Sequence, residues 1–370
     1  MNDVTVNTVG SARSGQGFSV RPLRITLPGG EGHLGRILAQ HFSGLGHEVT
    51  TLTRNPHNTV APTAESVSAA DPKLWRTVVW DGMNLGAWVE TLEGADVLIN
   101  LAGRSVDCRY NARNREEILQ SRVRSTAVLG EVIRKLRRPP RVWLNASTAT
   151  IYRHSYDRAM DEATGEIGGN ESGAPTDWRF SIEVARRWEE SFFSAQTPNI
   201  RKIAMRAAMV MSPTAGGIFE VLLRLVRTGM GGAWGSGRQY MSWIHQEDFL
   251  RAVVHLIQRE EITGVVNLAA PVPLSNEEFM SALRDAWGIR FGLSAREWML
   301  TIGAFLLQTE TELLLKSRRV VPGILQRNGF EFRYPEWPVA AWDLVRRWRE
   351  HCSSGTGKEL VPGAQEESSE

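Results

Sequence analysis

Lysine is scarce in this sequence, with only Lys73, Lys135, Lys202, Lys316 and Lys358 in 370 residues, so nearly all positive charge is arginine. Cysteine is scarcer. Cys108 and Cys352 stand far apart, and two thiols make neither a four-ligand zinc site nor a disulfide framework. No metal site is expected, and a reducing compartment, the cytoplasm, is the expected location. Long apolar runs are also missing: "WMLTIGAFLL" at 298–307 is too short to span a bilayer. Residues 1–22 lack the apolar core of a secretory signal and read as a disordered leader. A net charge of +2 gives no basis for a nucleic-acid or membrane partner.

What the chain does have is rhythm. Short apolar runs alternate with helical patterns from residue 23 to about 205. The strand-like runs are "LRITL" (23–27), "HEVTTLTR" (47–54), "TVVWD" (77–81), "ADVLINLAG" (95–103), "RVWLNAST" (141–148) and "IRKIAMRAA" (200–208). Helical patterns include 35–46, with Ile37, Leu38, Phe42 and Leu45 on one face, then 114–136 and 176–196. In 114–136, Leu119, Val123, Ala127, Gly130 and Ile133 or Arg134 fall close to one face. Alternation of this kind predicts a parallel sheet covered by helices on both sides. After 206 helical patterns dominate (217–229, 246–259, 275–287, 295–316), with one strand-like run at 264–269. The expected architecture is α/β, a Rossmann-like doubly wound parallel sheet over 23–270 whose substrate lobe begins to intertwine near 206. A smaller helix-rich C-terminal substrate lobe follows over 271–350, and a Ser-, Gly- and Glu-rich disordered tail over 351–370.

The stretch "LPGGEGHLG" places Gly29, Gly30, Gly32 and Gly35 between the first strand and the first helix. Such a turn brings backbone N–H groups and a positive helix end to a pyrophosphate, and Gly30-x-Gly32-x-x-Gly35 satisfies the dinucleotide fingerprint. Glu31 is out of place in it, because a carboxylate aimed at a phosphate repels it. The expectation is that Glu31 turns to solvent while the backbone alone faces the phosphate.

The loop resembles that of the extended short-chain dehydrogenase/reductase superfamily, of the NAD-dependent epimerase/dehydratase type. "INLAG" (99–103) resembles the strand-four motif beneath the cofactor, and "NASTATIY" (145–152) the strand-five motif. "GSGRQYMSWIHQEDFLRAV" (235–253) and "RRVVPGILQRNGFEFRYPEW" (318–337) are similar to a narrower group, the epimerase family proteins, which carry a helical C-terminal extension. The resemblance runs colinearly from Leu23 to Arg349. It implies a nicotinamide dinucleotide held by Gly29, Gly30, Gly32, His33, Leu34 and Gly35 and by Leu101, Ala102 and Gly103. Asp81 matches a residue that bonds the adenine, and it could equally cap the following helix. Where NAD enzymes carry an acid at the end of strand two, this chain has Thr53 and Arg54, and a guanidinium suits a 2′-phosphate. NADP is therefore expected, with NAD as the alternative.

The superfamily's chemistry uses a tyrosine with a lysine four residues on, the lysine lowering the phenol's pKa. Four residues beyond Tyr110, Tyr152, Tyr156, Tyr240 and Tyr334 stand Asn114, Tyr156, Met160, Ile244 and Pro338. The pair is missing. Phe180 or Ser181 stands about where the tyrosine would be, and Val184 or Ala185 in place of the lysine. The remaining catalytic candidates are Ser147, Thr148 and Tyr152, at the carboxyl end of strand five. Arg206, Arg238, Ser242 and His245 are substrate candidates by resemblance. Two functions stay open: an NADP-dependent oxidoreductase or epimerase acting on a small, sugar-like molecule, and a dinucleotide-binding sensor or scaffold without turnover. The basic run "EVIRKLRR" (131–138) reads as a solvated helix face, and its helix leaves a homodimer open.

Overall fold

Runs such as "VLIN" carry no polar alternation, so they fit a strand with both faces covered. The computed structural model describes residues 21–54, 75–171, 176–295 and 312–353, and Val97–Asn100 is buried at every position. The central sheet has seven strands: β1 (Arg24–Pro28), β2 (Glu48–Thr53), β3 (Trp75–Val79), β4 (Val97–Asn100), β5 (Val142–Thr148), β6 (Arg201–Ala207) and β10 (Gly264–Leu268). Their order is β10-β6-β5-β4-β1-β2-β3, and every pairing is parallel. The strand-like run at 264–269 thus belongs to the main sheet, beside β6. Strand order reverses between β1 and β4, which opens a crevice at their carboxyl ends.

Helices close both faces. From α1 (His33–Gly44) and α5 (Gln246–Gln258), Ile37, Leu38, Phe42, Phe249 and Val253 pack on one side. From α2 (Ala112–Lys135) and α3 (Thr176–Ser194), Leu129, Val132, Ile133 and Phe192 pack on the other. Leu45, grouped with the α1 face in sequence, is exposed because it stands past the helix as its C-cap. Of the expected face of α2, Gly130 and Ile133 are buried, Leu119 and Val123 half-buried and Ala127 exposed. Ile118, Thr126 and Leu129 also point inward, since α2 must face both the sheet and α3.

A second apolar cluster gathers α4 (Ile218–Arg227), α6 (Asn276–Trp287) and a helix over Trp337–Ser353. Trp337 is its centre, stacked on Phe279 at 3.9 Å, with its indole N–H donating to the Phe279 carbonyl at 2.8 Å. Two short ribbons frame it: β7 (Met209–Met211) with β9 (Trp243–His245), and β8 (Tyr240–Met241) with β11 (Leu274–Ser275). The sequence reading assigned no span to the last helix, and it carries 351–353 as helix rather than tail. Of the helix expected over 295–316, the structure describes Glu312–Leu315, and 296–311 lie outside the described residues. Leader residues 1–20 and tail residues 354–370 lie outside them too. Among the described residues no helix is long and apolar enough to cross a membrane.

Candidate functional site

Three glycines of the loop are there because nothing larger fits. A Cβ on Gly29, which has φ +77°, would come within 2.8 Å of the Leu101–Ala102 backbone. One on Gly30 would meet the Thr51 side chain at 2.5 Å, and one on Gly35 the Gly30 Cα at 2.5 Å. Gly32 differs, since its nearest neighbour would be the Gly29 carbonyl at 3.3 Å, on the open side of the loop. It is the N-cap of α1, with no side-chain cap and no acid in the first turn. The leading amides of α1 and its positive end are thus left to a ligand, the arrangement that suits a phosphate.

A cavity of about 460 Å³ lies over this helix end. Its walls include Gly29, Glu31 and Gly32 from the loop, Thr53 and Arg54 from the end of β2, Asp81, and Leu101, Ala102 and Gly103 after β4. Seven of the expected cofactor residues therefore meet there: Gly29, Gly32, Arg54, Asp81, Leu101, Ala102 and Gly103. Gly30, Leu34 and Gly35 serve packing behind the loop. His33 sits against Gly217, and burial lowers its imidazole pKa. Asp81 accepts from the Met83 and Asn84 amides at 2.8 Å each, so it caps its turn while lining the cavity. The strand-four motif is set by Asn100, whose side chain donates to Asn145 at 2.7 Å and accepts from the Ala102 amide at 3.0 Å.

Glu31 does not turn to solvent. Its side chain is 8% exposed and folds back over the sheet. One carboxylate oxygen accepts from the hydroxyls of Thr51 (2.8 Å) and Thr77 (3.1 Å) and from the Trp75 indole (3.3 Å). Arg36 Nε stands 3.6 Å from the other. Burial costs the carboxylate its hydration, and three donors from β2 and β3, with Arg36 near the other oxygen, offset that cost.

The strand-five candidates are already engaged. Ser147 donates to Glu189 at 2.6 Å, and Glu189 receives the Arg206 guanidinium in a two-point pair at 2.8 and 2.7 Å. Burial alone pulls the Arg206 pKa down, but its bonds and charge attraction to Glu189 outweigh that and raise it. Arg206 also lies over the Tyr152 ring at 4.9 Å, and the Tyr152 hydroxyl donates to Asn267 at 2.9 Å. Tyr152 is 2% exposed, and burial pushes its phenol pKa up, the reverse of activation. Thr148 is half-buried and accepts from the Thr150 amide at 3.1 Å.

Beside this strand end stands a cluster that the sequence reading missed. Ser181, at the tyrosine's expected place on α3, donates to Glu312 at 2.5 Å. Lys316 Nζ lies 3.6 Å from the other Glu312 oxygen and donates to the Thr150 carbonyl at 2.9 Å. Lys316 is 1% exposed, and burial brings its ammonium pKa down to about 8, against the pull of Glu312. Burial likewise raises the Glu312 carboxyl. Glu312 and Lys316 stand at the i,i+4 spacing of a helical ion pair, but no spacing rule links them to 181. Glu189 had a signal, as an acid inside the apolar helical set Ala185, Trp188 and Phe192.

The lobe candidates hold structure together. Ser242 donates to the Arg318 carbonyl at 2.6 Å and accepts from the Val320 amide at 2.8 Å. His245 caps α5, its Nδ1 accepting from the Glu247 amide at 3.1 Å, with Nε2 3.3 Å from Asp343 and the ring stacked on Tyr334 at 3.9 Å. Burial lowers its pKa to about 4. Arg238 is exposed. None of these three lines the loop cavity. Among the described residues no group of three or more His, Cys, Asp or Glu gathers as a metal site.

Comparison with known proteins places this geometry. The NAD dependent epimerase/dehydratase family matches residues 25–269, and a domain of unknown function (DUF1731) matches 297–344, the stretch that carries Glu312 and Lys316. Epimerase family protein SDR39U1 of Homo sapiens is 27% identical over 328 residues, covering 87% of this chain and all of that protein. Epimerase family protein SSP1921 of Staphylococcus saprophyticus is 30% identical over 324 residues, covering 86% of this chain and 98% of that protein. The crystal structure of human SDR39U1 (isoform 2) with NADPH superposes with a TM-score of 0.73 at 25% identity, covering 88% of this chain and 99% of that one.

Two stability measurements test these assignments. Arg206→Met leaves Glu189 charged and buried, so urea unfolding should show a loss of about 3–5 kcal/mol. A loss below about 1 kcal/mol would mean that the pair is not the anchor its geometry describes. His245 binds its proton near pH 4 in the folded chain and near 6.5 when unfolded, so the unfolded state takes up more protons between them. Its contribution is intact above about pH 6.5 and is lost as pH falls toward 4, up to about 3 kcal/mol. His245→Asn keeps a capping group that cannot titrate, and its unfolding free energy should fall less steeply from pH 7 to pH 5 than that of the unaltered protein.

Proposed function

The chain belongs to the NAD dependent epimerase/dehydratase family, and on that premise we propose that it binds NADP(H) and acts as an oxidoreductase or epimerase on a small, sugar-like substrate. The observation that carries this reading is the uncapped N-terminus of α1 opening, through its glycine cradle, into the same cavity as Arg54. A related human protein has been crystallised with NADPH. The α1 amides would hold the pyrophosphate, and Arg54 the 2′-phosphate through a charge-assisted contact. Asp81 and Gly103 border the two ends of that path. Bound nicotinamide would supply hydride transfer.

The chain's own residues would handle protons at the carboxyl end of β5. Thr148 is the hydroxyl there that is not committed to Glu189. Lys316, with a pKa near 8, can exchange a proton close to neutrality, and Glu312 connects it to Ser181. Lys316 thus restores from the C-terminal segment the cation that α3 lacks.

A second reading has its own support. Tyr152 is buried, bonded to Asn267 and of raised pKa, which leaves strand five without an activated phenol. That favours a nucleotide-binding sensor or scaffold.

Calorimetry and turnover separate the two. NADPH should bind more tightly than NADH, and Arg54→Ala should narrow the gap by about 1.5–3 kcal/mol; equal affinities in the unaltered protein contradict the NADP assignment. Hydride transfer from NADPH should appear with one of a panel of sugars, ketones and aldehydes and fall at least about a hundredfold in Thr148→Ala, the scale of lost acid–base help. Tight NADPH binding with no turnover across the panel selects the sensor.

A further inference from the structure

Strand β2 ends without an acid, yet a carboxylate reaches that strand by another route. Glu31 leaves the phosphate loop and bonds Thr51 at 2.8 Å. Thr51 and Thr53 point to the same side of β2, two residues apart, so the strand end lies about 7 Å from this contact. Glu31, Thr53 and Arg54 line one cavity. The end of strand two is where a dinucleotide's ribose 2′ substituent is read.

The three donors that hold the Glu31 oxygen are two hydroxyls and an indole, all neutral. A side-chain amide in the same place would still accept those bonds, more weakly than a carboxylate does. Arg36 Nε stands 3.6 Å from the other oxygen, on a guanidinium that is 48% exposed.

We propose that Glu31 is a cofactor-specificity residue, its buried negative charge opposing the 2′-phosphate that Arg54 attracts and so limiting the preference for NADPH over NADH. The proposal rests on the cofactor reading above. A carboxylate and a 2′-phosphate lining one cavity repel, and the repulsion grows as water is excluded from between them. Both nucleotides carry the pyrophosphate, so its repulsion by Glu31 cancels in their ratio, and only NADPH adds the 2′-phosphate.

Titrating NADPH and NADH into the unaltered protein and into Glu31→Gln by calorimetry tests it. Glutamine keeps an acceptor for Thr51, Thr77 and Trp75 and removes the charge. The ratio of NADPH to NADH affinity should rise about fivefold or more, NADPH tightening more than NADH. Thermal melts of the ligand-free proteins check that the loop is intact, and Glu31→Thr serves if the glutamine variant does not fold. A ratio unchanged within about twofold overturns the proposal, as does an equal loss for both nucleotides, which would make Glu31 a latch alone. No binding of either nucleotide to the unaltered protein would overturn the cofactor reading, and this inference with it.

Discussion

A carboxylate withdrawn from water must find donors, and among the acids on which this fold imposes that requirement three stand around the cleft. Glu31 ties the phosphate loop to β2 and β3. Glu189 ties α3 to β5 through Ser147 and to β6 through Arg206. Glu312 ties the C-terminal segment to α3 through Ser181 and, with Lys316, to the turn after β5. Each acid bridges elements that no local contact would bring together. All three stand near the carboxyl edge of the sheet, where the crevice opens.

The cleft is divided by this requirement into two unlike halves. On the nucleotide side the backbone is left available: α1 is uncapped, Gly32 is open, and Arg54 is exposed at the wall. On the strand-five side most polar groups are already paired with each other. Ser147, Arg206 and Tyr152 spend their hydrogen bonds and ring contacts inside the protein. Residues committed in this way hold the sheet and α3 in place and are poorly suited to moving a substrate's proton. Thr148 is not bonded to Glu189, and the Lys316–Glu312–Ser181 cluster takes two of its three members from a segment matching a domain of unknown function.

The sheet, the phosphate loop and the cavity wall were legible in sequence because each depends on local rules. Apolar runs such as "VLIN" demand cover on both faces, and "GGEGHLG" joins a strand to a helix with glycines where backbones touch. Leu101–Gly103 and Arg54 follow from strand ends a fixed distance along the chain. Missing Tyr-x-x-x-Lys was equally plain. Less legible was α2, whose 24 residues face both sheet and α3, so periodicity alone misplaced Ala127.

Where a charged side chain ends up is decided by partners that sequence does not rank. Glu31 reads as a solvent-facing misfit until β2 and β3 lie beside it, with hydroxyls at Thr51 and Thr77. Lys316 reads as one lysine among five until residues 150, 181 and 312 surround it. His245 reads as a cleft residue until Tyr334 and Asp343 fold over it and make it a cap. The sequence by itself determined the parallel sheet, the glycine turn leading into an uncapped helix end and the absence of the tyrosine–lysine pair, since these rest on periodicity, glycine and composition. The tertiary structure alone decided which acids are buried, which bases answer them, and which hydroxyls are already bonded, because burial and pairing arise between residues distant in the chain.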